Sequence, residues 1–426
     1  MTPRATTDQE SSTACGLLVA FCGGGSGGHI APAVALSAAL RQRTSVDLQF
    51  FISNRAVDQR MLVAAGDDLQ AAVIVQPLQR STPRISYLAA VIQSFLLCRR
   101  HWRRSPPQVV VGTGGFASLP GVLAARWLRI PVVLLELNRV PGQATRRLSR
   151  FATLLLTGGP LPQTFSPACR VCPVGVPLAP EWWQQLRLAV SRRPVSRRGG
   201  NRAQLLVLGG SQGARRLNQL LRTALTQLPA DYEVHVVHQT GGEPDSDADQ
   251  PDAVASVTED GALPPHVRYS PIPFLEDIPQ RLADADIVIC RCGAMTLAEV
   301  AAAARPAILV PLSSSADDHQ RHNAVCLATA GSADIIDERA ADAAQALQAA
   351  VIRLLSSDEL RDQMASAHRQ RVDPQSAAHA VEQILAVAGA PSGEDDEPHN
   401  APTTASRSGG GRPADQHADA DDPRTG

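Results

Sequence analysis

Two glycine-rich clusters are the first residues in this sequence whose types and spacing suggest chemistry. GGGSGGH at 23–29 and GGSQG at 209–213 each follow a short apolar run and precede a helix-forming stretch. Glycines between a strand and a helix let a diphosphate approach the backbone amides at the positive end of the helix. His29 comes directly after the first cluster, and an imidazole at such a helix start can serve as a general base. Two such clusters facing one cleft predict two phosphate-bearing ligands.

Two later segments carry candidate ligand-binding side chains. RCGAMTLAE at 291–299 follows another apolar run. Gly293 permits a close approach of ligand to backbone, and the Glu299 carboxylate could accept both hydroxyls of a ribose. The structural alternative for Glu299 is an acidic residue that favours the helix dipole. PLSSSADDHQ at 311–320 supplies polar groups, notably Gln320, that could bind sugar hydroxyls.

Apolar runs alternate with helical stretches, which predicts parallel, doubly wound sheets. One series begins at 17–22, and a second begins at 204–208. We therefore predict an α/β fold of two Rossmann-like domains facing across a cleft, over 15–178 and 203–374. A linker with an insertion is expected at 179–202, and a helix at about 375–388 is expected to pack back on the N-terminal domain. Residues 1–14 and 389–426 are predicted to be disordered, because the N-terminus is polar and the tail is almost free of apolar residues.

A possible surface-binding helix occupies residues 85–104. Its apolar residues are Ile85, Tyr87, Leu88, Val91, Ile92, Phe95, Leu96 and Leu97, and its flanking arginines are Arg84, Arg99, Arg100, Arg103 and Arg104. An apolar helical patch beside arginines can rest on an anionic membrane surface. A buried helix with a basic end explains the same sequence, and the two interpretations stay open.

Composition excludes several classes of function. The 40 basic residues, all of them arginines, nearly balance the 41 acidic ones, so no overall field favours a nucleic-acid partner, and none is expected. The absence of lysine excludes a Walker-type phosphate site. The 8 cysteines show no metal-site spacing beyond half a motif at Cys169 and Cys172, which indicates a reducing compartment and no metal. The N-terminus lacks the form of a signal peptide, and no apolar run is long enough to span a bilayer. We expect the protein to stay inside the cell.

A dinucleotide-binding enzyme is one alternative that the first glycine cluster leaves open. NAD sites place an acidic residue at the end of the second strand to hold a ribose. Here that position holds Ser53, Asn54 and Arg55. Arg55 would suit NADP, so an oxidoreductase remains a minor alternative.

Taken together, five motifs resemble glycosyltransferase family 28. They are GGGSGGH at 23–29, GTGGFAS at 112–118, ELN with PG at 136–142, GGSQGAR with Asn218 at 209–218, and RCGAMTLAE at 291–299. They stand in the family's order, and the resemblance spans about 17–388. It implies a GT-B fold and inverting transfer of N-acetylglucosamine from UDP-N-acetylglucosamine. The implied acceptor hydroxyl is the 4-hydroxyl of undecaprenyl-pyrophosphoryl-N-acetylmuramoyl-pentapeptide, a step of peptidoglycan synthesis that converts lipid I to lipid II. It also implies a peripheral location on the cytoplasmic face of the plasma membrane.

The resemblance also implies roles for individual residues. His29 is the candidate base, and the acceptor diphosphate is expected on Ser26, Gly27, Gly28, Gly114 and Gly115. The UDP-N-acetylglucosamine site is expected to comprise Asn138, Ser211, Leu275, Ala294, Met295, Thr296, Glu299 and Gln320. In that site the uracil meets Leu275 and the 294–296 backbone, Glu299 meets the ribose, Ser211 the diphosphate, and Gln320 with Asn138 the sugar. No metal and no cofactor are expected.

The sequence departs from the family pattern at several of these positions. Leu135 and Leu137 stand where the family has polar side chains, and Ala179 stands where it often has an arginine near the donor phosphates. Arg215 and Arg291 are candidates to compensate. The remaining alternatives are a related GT-B transferase, a UDP-N-acetylglucosamine 2-epimerase, and a non-catalytic member that binds UDP-sugars within the wall-synthesis machinery.

Overall fold

A computed structural model of the chain describes residues 16–64, 71–77, 84–192, 202–210, 213–241 and 263–389. The expectations for 1–14 and for the tail beyond Gly389 lie outside these residues. The described strands form a seven-stranded sheet and a six-stranded sheet, and every strand pair in both sheets is parallel. The predicted α/β fold of two doubly wound parallel sheets is confirmed.

The first sheet and its helices occupy the N-terminal half of the chain. Its strands are β1 (Leu17–Gly23), β2 (Val46–Ile52), β3 (Ala71–Val75), β4 (Val109–Gly114), β5 (Val132–Glu136), β6 (Leu154–Thr157) and β7 (Arg170–Pro173). The helices between them are α1 (Gly27–Arg43), α2 (Ala56–Ala64), α3 (Arg84–Arg104), α4 (Ser118–Leu128) and α5 (Gln143–Leu148). The strand order is β3-β2-β1-β4-β5-β6-β7, so the direction of winding reverses between β1 and β4.

The second sheet repeats this plan. Its strands are β8 (Arg202–Leu208), β9 (Glu233–Gln239), β10 (Val267–Ile272), β11 (Ile287–Cys290), β12 (Ala307–Leu309) and β13 (Ala333–Ile335). The remaining helices are α6 (Pro180–Arg192), α7 (Arg215–Thr226), α8 (Ile278–Asp284), α9 (Ala294–Ala302), α10 (His319–Ala328), α11 (Ala343–Leu355), α12 (Asp358–Arg369) and α13 (Ser376–Ala388). The order β10-β9-β8-β11-β12-β13 reverses between β8 and β11. Ligands of open parallel sheets bind at the carboxyl ends of the strands beside such a reversal.

Alternate residues of each central strand enter the cores on opposite faces of the sheet. Val19 and Phe21 of β1 join one buried cluster, whereas Ala20 and Cys22 join another. Strands buried on both faces are continuous apolar runs, which is why the sequence shows no alternation of apolar and polar residues there. The glycine loops extend from strands that are fixed on both sides.

The segment between the halves departs from the linker expected at 179–202. Residues 180–192 form α6, which packs against α8, while 193–201 lie outside the described residues. Trp182, Leu186 and Ala189 recur at a spacing of three or four residues and give the helix one apolar face. Leu186 and Ala189 are buried in a core cluster of the second sheet.

The last described helix returns to the first half of the chain. α13 packs against α1, and Ala377, Ala380 and Ile384 are buried in the same cluster as Val19 and Phe21. The chain therefore passes between the halves twice. The two connecting segments lie side by side. Gly175 of the first is so close to Ser376 of the second that a Cβ added at Gly175 would collide with the Ser376 hydroxyl.

Candidate functional site

The first glycine loop connects β1 to α1 beside the reversal of the first sheet. Ser26 is the N-cap of α1, and the His29 amide donates to the Ser26 carbonyl at 3.0 Å. The first amides of a helix lack intrahelical partners and attract anions. Among the described residues, a Cβ added at Gly28 would meet nothing closer than the Ser26 hydroxyl at 3.9 Å, so these residues leave the space in front of this helix turn open.

The His29 ring lies against the loop that follows β4. Its Nδ1 is 3.0 Å from the Thr113 carbonyl oxygen. Because a carbonyl oxygen only accepts, Nδ1 of the neutral ring carries the proton and Nε2 carries the free lone pair. Gly115, with φ of 72°, brings its backbone to the ring, and a Cβ there would lie 3.3 Å from Nε2 and collide with the Gly24 carbonyl. Gly114 and Gly115 thus lie next to His29 and the first glycine loop.

Burial lowers the pKa of His29 below its usual value of 6.5. Glu136, the Thr113 carbonyl and Asp58 oppose this change, and the charge of His319 adds to it. The net direction favours the neutral imidazole near neutral pH, which is the form that a general base requires.

A buried carboxylate shapes the turn after β5. Glu136 accepts from the Asn138 amide and side chain at 3.1 and 3.0 Å, from the Gly142 amide at 2.8 Å and from the Thr145 hydroxyl at 2.7 Å. A carboxylate with this many donors fixes the backbone around it. The position of the Asn138 side chain is therefore set by Glu136.

Asn323 of α10 joins the two halves. Its Nδ2 donates to Asn138 Oδ1 at 3.0 Å and to the Cys292 carbonyl at 3.1 Å, while its Oδ1 accepts from the Arg139 amide at 2.9 Å. Asn323 is buried. One amide side chain therefore links the end of β5 to the end of β11, and sequence reasoning missed it.

Gln320 joins two loops of the second sheet. Its Oε1 accepts from the Cys292 amide at 3.1 Å and from the Leu312 amide at 3.0 Å. The side-chain oxygen is occupied by backbone donors, so the amino group is the part left to meet a ligand. Gln320 also lies one helical turn before Asn323 on α10, which places both at this edge of the sheet.

Arg291 forms a buried ion pair with Glu338. Its Nη1 lies 2.7 Å from Glu338 Oε2 and donates to the Val310 carbonyl at 3.0 Å, and both side chains are buried. Burial acts to raise the pKa of Glu338, but hydrogen bonds from Ser313 and Arg291 bring it below its usual value. Arg291 is thus held by Glu338, and its role as a replacement for the family arginine at Ala179 stays a prediction. Arg215 is exposed at the start of α7.

Helix α9 carries the remaining donor-site candidates. Gly293 is its N-cap, and a Cβ there would meet no atom of the described residues within 4 Å. Ala294, Met295 and Thr296 form the first turn and are partly buried. Burial raises the pKa of Glu299 to about 7. Leu275 is buried in the core cluster that also contains Cys292 and Leu297. Ser211, the expected diphosphate contact, lies outside the described residues.

An apolar surface row lies on α3. Leu88, Ile92 and Leu96 are exposed and four residues apart, while Val91, Cys98 and Trp102 on the other face are buried. Trp127 of α4 is 67% exposed, and the Arg99 guanidinium lies 6.0 Å from its ring centroid. One face of this helix is therefore core and the other is exposed, and binding to a membrane surface stays a prediction. The side chains of Arg84 and Ile85 lie outside the described set.

Among the described residues, no group of three His, Cys, Asp or Glu side chains is placed to hold a metal ion. No helix in that part of the chain is long and apolar enough to cross a membrane.

Two doubly wound parallel sheets, with candidate ligand groups beside their reversals and with Asn323 linking their edges, form the architecture of the GT-B glycosyltransferases. The chain belongs to glycosyltransferase family 28. The model of the glycosyltransferase family 28 N-terminal domain matches residues 19–157, and that of the C-terminal domain matches 204–383.

Individual relatives agree with this assignment. A UDP-N-acetylglucosamine--N-acetylmuramyl-(pentapeptide) pyrophosphoryl-undecaprenol N-acetylglucosamine transferase of Ectopseudomonas mendocina (strain ymp) is 35% identical over 85% of this chain and 97% of its own length. The crystal structure of Acinetobacter baumannii MurG is 28% identical with a TM-score of 0.63, covering 87% of this chain and 99% of that one. A UDP-GlcNAc 2-epimerase from Neisseria meningitidis, 14% identical with a TM-score of 0.56 over 87% of this chain and 99% of its own, shares the fold alone.

Proposed function

We propose that this protein transfers N-acetylglucosamine from UDP-N-acetylglucosamine to the 4-hydroxyl of undecaprenyl-pyrophosphoryl-N-acetylmuramoyl-pentapeptide. The relative from Ectopseudomonas mendocina, matched over nearly its whole length, bears the name of this activity. The observation that carries the proposal is the His29 ring, held by the Thr113 carbonyl between two glycine loops with Nε2 free. In this proposal the N-terminal domain comprises 15–178 and the C-terminal domain 203–374.

The acceptor diphosphate is assigned to the first half. The amides of Ser26, Gly27 and Gly28 begin α1, and the Gly114–Gly115 backbone lies on the other side of His29. Main-chain amides at a helix start bind a diphosphate without a side-chain cation. The acceptor sugar would then lie next to His29.

The donor is assigned to the second half. Glu299 would accept the ribose hydroxyls, Leu275 and the 294–296 backbone would contact the uracil, and Ser211 would contact the diphosphate. The Gln320 amino group and Asn138 would bind the sugar. The open space in front of Gly293 and the buried neighbours of Leu275 support this placement.

The reaction is then an in-line displacement. His29 Nε2 takes the proton of the acceptor hydroxyl while the oxygen of that hydroxyl forms a bond to the anomeric carbon of N-acetylglucosamine. The bond from that carbon to the UDP phosphate oxygen breaks, and UDP leaves with the electron pair. Amides and helix N-termini stabilise the charge that grows on the leaving phosphate. Attack from the face opposite UDP inverts the anomeric centre.

The acceptor's lipid would remain in the bilayer, so the protein must reach a membrane surface. The apolar row of α3 consists of Leu88, Ile92 and Leu96. Exposed Trp127 of α4 adds to this surface, and Arg99 and Arg126 lie beside Trp127. Apolar side chains next to arginines bind anionic lipid surfaces. We assign this row to the cytoplasmic face of the plasma membrane.

Transfer of radiolabelled N-acetylglucosamine from its UDP carrier to a soluble analogue of the acceptor lipid tests the proposal. The expected product is the labelled disaccharide lipid, formed only when both substrates are present. A parallel incubation without acceptor tests the epimerase alternative. Inversion at the sugar's second carbon, or release of free sugar with no disaccharide formed, would refute the proposed transfer.

A further inference from the structure

Asp58 is a buried carboxylate behind the first glycine loop. It lies in the first turn of α2 and is fully buried. Its two oxygens accept from the Gly25 amide at 3.0 and 2.7 Å, and the Ser53 hydroxyl donates to one of them. From the other side, Arg55 Nη1 donates to the Gly25 carbonyl at 2.6 Å. Both polar groups of Gly25 are therefore held by side chains from the region that follows β2.

These contacts fix the conformation of the loop. Gly25 has φ of 90°, and a Cβ there would collide with the Phe116 ring. A Cβ at Gly24 would collide with the Asp58 carboxylate itself. The loop is thus packed between Asp58 and the loop after β4, and it has little room to adopt another shape.

The same contacts decide which amides can meet an anion. Asp58 occupies the Gly25 amide, so the amides that begin α1, from Ser26 to Gly28, are those left to the ligand. Binding groups that are ordered before the ligand arrives cost less free energy to immobilise. A carboxylate facing an amide at these distances forms a charge-assisted bond, which is stronger than a neutral one.

Asp58 also affects His29 through its charge. Asp58 and Glu136 both act to raise the pKa of His29, as does the Thr113 carbonyl, while burial and His319 lower it. Burial raises the pKa of Asp58, and its bonds to Ser53 and Gly25 oppose that change. The groups whose charges face His29 are thus Glu136, Asp58 and His319.

We propose that Asp58 is a positioning residue for the acceptor diphosphate: it holds Gly25 so that the Ser26–Gly28 amides and His29 stand in their binding geometry. This inference rests on the proposed function for the identity of the ligand. It predicts that variants of Asp58 bind the acceptor more weakly and the donor normally, since none of the Asp58 contacts reaches the second sheet.

The test compares Asp58→Asn and Ser53→Ala with Asp47→Asn, a matched control on the exposed part of β2. Steady-state kinetics give the KM of each substrate, and NMR titration gives the pKa of His29. We expect the acceptor KM of Asp58→Asn to rise about tenfold, with an unchanged donor KM, because a charge-assisted bond is lost. The pKa of His29 should fall, because a negative charge that raises it is removed. Ser53→Ala keeps the charge and should raise the acceptor KM by a smaller factor.

An Asp58→Asn enzyme with the wild-type acceptor KM and an unchanged His29 pKa would overturn the inference. An equal rise in both KM values would do so too, because it would indicate general loosening. If thermal melting shows that Asp58→Asn is unfolded, Ser53→Ala decides, and a wild-type acceptor KM there refutes the inference. If the wild-type protein shows no transfer, the proposed function fails, whereas the His29 titration and binding of inorganic pyrophosphate still test Asp58.

Discussion

Asn138 and Asn323, which belong to different halves of the chain, are joined by a hydrogen bond of 3.0 Å. Asn323 also holds the Arg139 amide and the Cys292 carbonyl. The edge of the first sheet is therefore tied to the edge of the second at the place assigned to the donor sugar. We therefore expect the relative position of the two bound substrates to depend on this buried amide.

Replacing Asn323 should loosen the contact between the two halves and slow the transfer reaction. In Asn323→Ala three hydrogen bonds are lost, and misplacement of bound substrates lowers the rate of reaction. We expect kcat/KM to fall at least tenfold, since roughly 1.4 kcal/mol corresponds to that factor. Small-angle scattering should show a larger radius of gyration. His322→Ala, exposed on the same helix, is the control. Wild-type kinetics in Asn323→Ala would show that the contact is dispensable.

His29→Ala should lose the chemical step. General base catalysis contributes roughly 100-fold to 10,000-fold, so kcat should fall by about that much while both KM values change little. Rapid-quench measurement of a single turnover separates chemistry from product release. His379→Gln, which removes a half-exposed histidine of α13, should leave the rate unchanged. A His29→Ala enzyme with full single-turnover rate would remove His29 from the mechanism.

Donor affinity should depend on pH through Glu299. Its pKa is raised to about 7, so the carboxylate becomes protonated as pH falls through that value. Only the ionised form accepts both ribose hydroxyls, and the donor KM should therefore rise between about pH 8 and about pH 6. Glu299→Gln should show a high KM that is constant over this range. The same pH dependence in Glu299→Gln would assign the titration to another group.

Membrane attachment should depend on the apolar row of α3. A charge at position 96 opposes insertion of α3 into the membrane surface. Burying one leucine side chain in the membrane contributes about 1.5–3 kcal/mol, which the variant would lose. Leu96→Asp should therefore reduce binding to anionic phosphatidylglycerol vesicles in a sedimentation assay by about tenfold or more. Leu188→Asp alters a similarly exposed leucine on α6 and should bind normally. Equal loss in both variants would indicate that surface apolarity in general, rather than this row, drives attachment.

The Arg291–Glu338 pair should be important for stability. The two side chains are 8% and 3% exposed, and removing one partner of such a pair costs about 3–5 kcal/mol. Urea denaturation of Glu338→Gln should show this loss in the free energy of unfolding. Arg202→Met breaks an exposed pair with Glu233 and should cost less than about 1 kcal/mol. Similar midpoints for the two variants would contradict the structural role assigned to Arg291.

Sequence alone predicted the features that depend on neighbouring residues. Apolar runs closed by glycines gave both sheets, the loop at 23–28 and the position of His29. It could not predict contacts between distant parts of the chain. Asn138 and Asn323 are 185 residues apart, and only the fold brings them together.

The pairing of Arg291 with Glu338 shows why the roles of charged residues were harder to predict from the sequence. The sequence offered Arg291, together with Arg215, as a candidate to compensate for Ala179. Glu338 lies in a different loop, and its proximity was invisible without coordinates. Asp58 was missed for a related reason, since one acidic residue in the first turn of a helix usually needs no partner beyond the helix dipole.

The closeness of Gly175 and Ser376 limits how the enzyme can move. Both segments that connect the halves pass this point, so the halves stay joined here whatever motion occurs elsewhere. Gly175 has φ of 81°, a backbone conformation that strains a residue with a side chain, and a Cβ there would also collide with Ser376. We therefore expect a larger residue at Gly175 to disturb the junction of the two halves although it lies outside the assigned substrate sites.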